Sequence, residues 1–312
     1  MADFDLLVLG DANPDLVLRG GDVVPAFGQA ERMVEEATLT VGGSGAILAC
    51  GAARLGLRVA ICGVVGDDLF GRYLREELTL HGVNTRGLIT DPDRPSGLTV
   101  VFSIPGDRAM LTAAGTVADL RADLIDPALL ASARHVHVSS YFLQRALQAD
   151  LPSLFDAVHG SGGSTSLDPN WDPEGVWDGG LNELLPRVDV FLPNAMEAMS
   201  IGHISNLDDA VGRLRAMVSM VVVKNGSDGA VASTTGETAV VRGLPGRVVD
   251  TTGAGDSFDA GFLAAWLADM PLTRCLEIGN ACGVLSTRSP GGTDGQPTMD
   301  EVLETLERGS AA

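Results

Sequence analysis

Short apolar runs alternate with stretches of helical periodicity along most of the chain, and this alternation restricts the fold more than any other feature. The runs cover residues 4–10, 58–65, 136–139, 164–168, 188–192 and 220–224. They are too short for helices and apolar on successive residues, which reads as strands buried on both faces. Residues 44–55 carry small and apolar side chains at helical spacing and stop at Gly56. Residues 67–81 form an amphipathic pattern ended by Gly82. Glycine ends helices because it takes the left-handed conformation without strain. The alternation predicts an α/β fold, a mainly parallel sheet with helices on both faces. Residues 16–41 and 97–111 break the pattern by alternating polar and apolar residues with no helix following. They predict extra antiparallel strands that project as a small lid. The expectation is one α/β domain over residues 1–312, with lid strands inserted at about 16–41 and 97–113.

The composition narrows the function. Hydrophobic residues make up 45% of the chain and aromatic ones only 4%, so the core is mostly Ala, Leu and Val. The formal net charge is −20, and such a surface repels a phosphate backbone. Nucleic acid is therefore not an expected partner. No apolar stretch is long enough to span a membrane, and no signal peptide precedes Asp3. Cys50, Cys62, Cys275 and Cys282 show no C-x-x-C pairing, which predicts a reduced, cytoplasmic protein. Lys224 is the only lysine among 21 cationic side chains. It is followed by Asn225 and preceded by valines, so it does not belong to a G-x-x-x-x-G-K-[ST] phosphate loop, which is excluded.

The segment richest in chemistry is Asp250-Thr251-Thr252-Gly253-Ala254-Gly255-Asp256-Ser257-Phe258, followed by a helical apolar run. The first N–H groups of that helix lack internal partners and sit at the positive end of its dipole. Glycines let an anion approach them closely. Asp256 stands beside them as a general base for an attacking hydroxyl, and phosphoryl transfer to an alcohol needs both parts. The plainer reading, an acid that merely favours a helix start, is weakened by the flanking Asp-Thr-Thr and Ser-Phe. Gly42-Gly43-Ser44-Gly45-Ala46 leads into a helix and fits either a ligand turn or a simple strand-to-helix turn. Asn194-Ala195-Met196-Glu197 follows a buried strand, at the end where open α/β sheets bind ligands. There Glu197 would hold magnesium through water, or the pair would simply cap a helix. Lys224-Asn225-Gly226-Ser227-Asp228-Gly229 ends another strand, where the lysine would meet nucleotide phosphates or would sit in a hairpin turn. His135 and His137 lie two apart on a strand without a third metal ligand at matching spacing, so they read as ordinary strand residues. Asp107-Arg108 and Asp93-Arg94 read as solvated lid or loop charges.

Together these segments resemble the ribokinase-like (PfkB) carbohydrate kinases over nearly the whole chain. Gly42-Gly43 resembles the family's first signature, 250–260 its second, Asn194 to Glu197 its N-x-x-E element, and Asp168-Pro169-Asn170 its D-x-N strand end. Gly10 to Asp15 resembles its first substrate loop. The resemblance implies a ribokinase-like fold and an ATP-dependent sugar kinase using Mg²⁺. Asp256 is then the base, and Gly253, Ala254 and Gly255 form the anion hole. Asn13, Asp15, Gly42, Gly43, Ile47 and Asn170 face the sugar, and Asn194, Lys224, Gly226, Gly229 and Asn280 line the nucleotide site. Glu197 serves magnesium, while oxygens near Asp250, Thr252, Ser286 and Gly291 hold a monovalent cation, usually potassium. The lid would also mediate a homodimer. Three positions depart from common members: Ile47 stands where many have Asn, Ser44 replaces a lysine, and Asp172 replaces an arginine. The missing cation and added carboxylate point to a neutral sugar. A nucleoside kinase, with an aromatic wall from Phe102, Tyr141 and Phe142, and a non-catalytic sugar sensor are the alternatives.

Overall fold

The computed structural model describes residues 2–104 and 107–310. Thirteen strands follow one another: β1 (Phe4–Leu9), β2 (Asn13–Gly21), β3 (Val34–Gly42), β4 (Val59–Gly66), β5 (Asn84–Asp91), β6 (Leu98–Ile104), β7 (Asp107–Ala113), β8 (Ala133–Val138), β9 (Ser164–Leu167), β10 (Val190–Phe191), β11 (Met220–Lys224), β12 (Ala230–Thr234) and β13 (Thr238–Val241). Nine of them form the body sheet in the order β13-β12-β11-β10-β9-β8-β1-β4-β5. From β5 to β11 every pair is parallel, and only β12 and β13 add antiparallel edges. This is the sheet the alternation predicts.

The core explains why the strands are apolar on successive residues. Leu7 and Leu9 point into one layer with Val136, Val138 and Phe155. Leu6 and Val8 point into the opposite layer with Leu48, Ile61 and Ala260. Each fully buried leucine contributes about 1.5–3 kcal/mol, so a sheet covered on both faces needs no aromatic-rich core. The helix Ala254–Trp266 packs in a third cluster through Phe258, Phe262 and Leu263.

The lid is a second sheet in the order β3-β2-β6-β7. Its hairpins are antiparallel as expected, and the central pair β2–β6 joins them in parallel. The reason is topological. β1 and β5 run in the same direction through the body sheet, so the strands that leave their ends enter the lid side by side. The lid strands also start earlier than the alternation suggests, at Asn13, which brings the sugar-loop residues Asn13 and Asp15 into β2 itself.

Candidate active site

Chain direction reverses its lateral course at β1, which lies between β8 and β4. Ligands in open α/β sheets bind beyond the strand ends near such a switch point. A cavity of about 490 Å³ opens there, floored by residues that follow β1, β9, β10 and β11 and roofed by the lid.

At one end the wall is built on Asp11. Its carboxylate accepts the backbone N–H groups of Ser44 (3.1 Å) and Gly45 (3.2 Å), pinning the start of the helix Ser44–Arg54 to the end of β1. Gly43 has φ of 83°, and a Cβ on Gly42 would meet the Asp15 carboxylate at 2.2 Å. Both glycines are thus structural necessities of the loop. Gly43 reaches the cavity, whereas Gly42 shapes it from behind Asp15. Asn13 donates to Asp15 (3.1 Å) and to Thr99 of β6 (3.2 Å). Burial, helped by the charge of Asp11, pushes Asp15 up to about 7. Asn170, held at φ of 53°, donates to Ser44 (2.9 Å) and Ser140 (3.1 Å). Ile47 supplies an apolar patch between these polar groups.

The opposite wall is the anion loop. Gly253 adopts φ of 71°, and a Cβ there would lie 2.8 Å from Ile47 Cγ2 and 2.9 Å from Gly292 Cα. Only glycine fits. The loop turns directly into the helix Ala254–Trp266, and Gly253, Ala254 and Gly255 all line the cavity at the helix start, with the Ala254 N–H donating to Thr251 O (3.3 Å). Asp256 sits in that first turn and faces the same space. Burial pushes its pKa up to about 8, reinforced by the charge of Asp168 and only partly offset by Lys224.

Asn194 and Glu197 satisfy both readings of their motif. They form a complete capping box, with Asn194 Oδ1 accepting from Glu197 N (2.9 Å) and Glu197 Oε2 accepting from Asn194 N (2.8 Å). Both also line the cavity. Burial, then the charge of Asp168, pushes Glu197 up to about 7. A wall with several carboxylates raised by burial favours a ligand that arrives with cations. Among the described residues no cluster of three His, Cys, Asp or Glu forms a metal cage. One lining carboxylate suits Mg²⁺, which keeps most of its waters and takes its other ligands from phosphates.

Several expected site residues are placed differently. Asn280 is buried and donates to the Arg242 carbonyl (2.7 Å), so it braces a loop rather than lining the cavity. Gly229 has φ of 102° and a Cβ would meet Val241 O at 2.0 Å, which makes it a turn residue, while Gly226 does line the cavity. Lys224 lines the cavity, and its ammonium is also held between Asp168 (2.7 Å) and Asp259 (2.9 Å), two partners the sequence does not announce. Asp172 accepts backbone N–H groups from Glu174, Val176 and Trp177 at 2.7–2.9 Å and stands outside the main cavity, so it does not meet the acceptor. Tyr141 and Phe142 pack in the core, and no aromatic side chain lines the cavity among the described residues. His135 and His137 are buried against Ser164 and Ser166, as strand residues should be.

The cation residues fall into one region. The Asp250 carboxylate accepts from Thr252 N (2.9 Å), Thr252 Oγ1 (2.8 Å) and Gly291 N (3.0 Å). The backbone N–H of Asp250 donates to Thr287 O (3.2 Å), next to Ser286. Asp250 therefore staples the loop after the helix Leu272–Ser286 to the anion loop.

Arg108, which reads from the sequence as a solvated charge, lines the cavity instead. It stands on β7, donates to Thr251 Oγ1 (2.7 Å) and lies 3.5 Å from Asp250. The alternate residues Arg108, Met110 and Thr112 all line the cavity, so the period of two that marks β7 as a strand also marks its inner face.

A family model for "pfkB family carbohydrate kinase" matches residues 3–299. An ATP-dependent ribose-1-phosphate kinase of Halopiger xanaduensis is 32% identical over 308 residues, covering 96% of this chain and 97% of its own. An E. coli protein described as a candidate ribokinase II, solved with ATP and Mg²⁺, superposes with a TM-score of 0.87 at 25% identity, covering 98% of this chain and 99% of its own. Arabidopsis thaliana ribokinase, solved with ribose and ATP, gives 0.84 at 25% identity over 98% and 99%. Parallel sheet, strand-built lid, glycine loop and first-turn aspartate are thus all present in a chain that matches sugar kinases over nearly its whole length. The protein belongs to the PfkB family of carbohydrate kinases.

Proposed function

We propose that this kinase transfers the γ-phosphoryl group of ATP to a hydroxyl of a neutral sugar held between Asp11, Asn13, Asp15 and Asn170. The observation that carries this reading is one cavity lined by both the anion loop, Gly253 to Gly255, and the carboxylate of Asp256. The acceptor hydroxyl lies against Asp256, which takes its proton as the new O–P bond forms. The transition state spreads negative charge over the transferring group, and the first-turn N–H groups stabilise it in place. Glu197 would hold magnesium through water, and the metal would neutralise charge on the phosphates. A potassium ion at the Asp250–Thr252–Gly291 staple would stiffen the anion loop. Arg108 arrives from the lid at Thr251, so closing the lid adds a guanidinium to the anion loop and excludes water. The polar cavity without aromatic walls supports a sugar over a nucleoside, and the complete base and anion loop support an enzyme over a sensor.

A panel of sugars, sugar phosphates and nucleosides with ATP and Mg²⁺, read as ADP release with and without potassium, tests the reading. A nucleoside or an acidic or phosphorylated sugar as best substrate would overturn it. The same assay run across pH has a defined shape. Asp256 works as a base only when ionised, and its pKa is raised to about 8. The value of kcat/KM for the best sugar should rise with pH up to about 8 and level above it. A flat profile from mildly acidic to mildly alkaline pH would remove Asp256 from this role.

The lid carries exposed apolar residues, including Val24, Phe27, Met33 and Leu111. Its outer strands β3 and β7 also leave unpaired sheet edges. We assign this surface to a homodimer of the chain. In sedimentation, the native protein should run as a dimer and a Phe27→Asp, Met33→Asp variant as a monomer. A monomeric native protein would refute the assignment. Its four cysteines are unpaired, in keeping with a cytoplasmic location.

A further inference from the structure

The sole lysine of the chain sits beneath the anion loop, at the edge of the cavity. A Cβ added to Gly255, in the anion loop, would lie only 3.7 Å from Lys224 Nζ. The ammonium touches Asp168 at 2.7 Å and Asp259 at 2.9 Å, and its side chain is 11% exposed. Every other cation in this chain apart from histidine is an arginine. The compact Lys224 ammonium, a point charge with three donors, meets both carboxylates.

Asp259 is fully buried, and its Oδ1 has no hydrogen-bond partner among the described residues. Burial holds its carboxyl well above the ordinary range, against the pull of the Lys224 ammonium. Asp168, despite its burial, is held below the ordinary range by the Lys224 ammonium, with which it pairs at 2.7 Å. The groups that face Asp256 are Asp168 beyond β9, Lys224 of β11 and Asp11 beyond β1, with the Ser44 hydroxyl. Glu197 and the neutral His137 face the same Lys224–Asp168 pair from other sides.

We propose that Lys224 is a positioning residue, not a phosphate ligand: locked between Asp168 and Asp259 under the anion loop, it cancels the charge behind Asp256 so that Asp256 ionises as the base. This rests on the kinase reading with Asp256 as base. Without the ammonium, the Asp168 charge faces Asp256 uncompensated and disfavours its ionised form.

Lys224→Met should move the acid limb of kcat/KM upward by about one pH unit or more, with KM for ATP changed less than about threefold. Asp168→Asn in the Lys224→Met background removes the orphaned charge and should bring the limb back. An unmoved limb together with a tenfold or larger rise in KM for ATP would make Lys224 a phosphate ligand and end the proposal. Loss of the limb in the unmodified enzyme would instead sink the base assignment. Because a buried pair is costly to break, a second measurement uses the native protein. Isotope-labelled lysine yields one side-chain ammonium signal. It should be protected from exchange and hold its position when a non-hydrolysable ATP analogue with Mg²⁺ is added. An exchanging signal that moves with the nucleotide would overturn the proposal.

Discussion

Asp256→Asn is expected to retain sugar and ATP binding while kcat falls about 10²- to 10⁴-fold, the range that a positioned base contributes. The binding groups Asn13, Asp15 and Asn170 hold their geometry through bonds that do not involve Asp256. Titration calorimetry with sugar, beside steady-state turnover, separates the two effects. Turnover within threefold of the native enzyme would refute the base assignment. The same variant carries a stability prediction of opposite sign. The pKa of Asp256 rises from an ordinary 3.8 to about 8 on folding, so the folded state prefers the protonated acid. Its stabilising contribution is full below about pH 4 and is lost as pH climbs to about 8. Asparagine has no proton to lose. The variant should therefore melt roughly 2–5 °C above the native protein at pH 8, and the gap should shrink towards pH 5. Activity and stability conflict at this side chain because the base is buried where its charge is costly.

Arg108→Gln is expected to cost about 10²- to 10³-fold in kcat with every acceptor, since an arginine brought to a transferring phosphoryl group stabilises charge that is largest in the transition state. The KM for sugar should change little. Lysine at this position should recover only part of the loss, because it lacks the planar fork that meets two oxygens at once. The Thr251 contact spans 143 positions of the chain and joins the lid to the anion loop. Faster hydrolysis of ATP to water in the variant, relative to sugar phosphorylation, would show that the lid had loosened as well. An unchanged kcat would place Arg108 in lid structure alone.

Reading these residues from the chain works where chemistry is local. Gly253, Ala254, Gly255 and Asp256 are adjacent, and the loop they build depends on φ of 71° at one glycine and on a helix that begins at the next residue. Asn194 and Glu197 are also local, and a capping box is written in a four-residue spacing. The strands of the body were legible because burial on both faces demands uninterrupted apolar runs. β5 was harder, since its alternating burial on the sheet edge lacks such a run.

The remaining features depend on partners distant in sequence. Asp107-Arg108 looks like any solvated pair in a lid hairpin until β7 is placed on β6 and the inner face of the lid is known. Lys224 shows no carboxylate partner until Asp168 and Asp259, 56 and 35 residues away, close on its ammonium. Asp172 looks like an acceptor-facing carboxylate until its own loop folds over it. By itself, then, the sequence determined the sheet and the glycine loop with Asp256 in the helix turn that follows it, because backbone conformation and strand burial are short-range consequences of residue type. Only the tertiary structure decided which carboxylates each cation meets, Asp168 and Asp259 for Lys224 and Asp250 for Arg108. A charge acts through distance and burial, and neither is a property of its position in the chain.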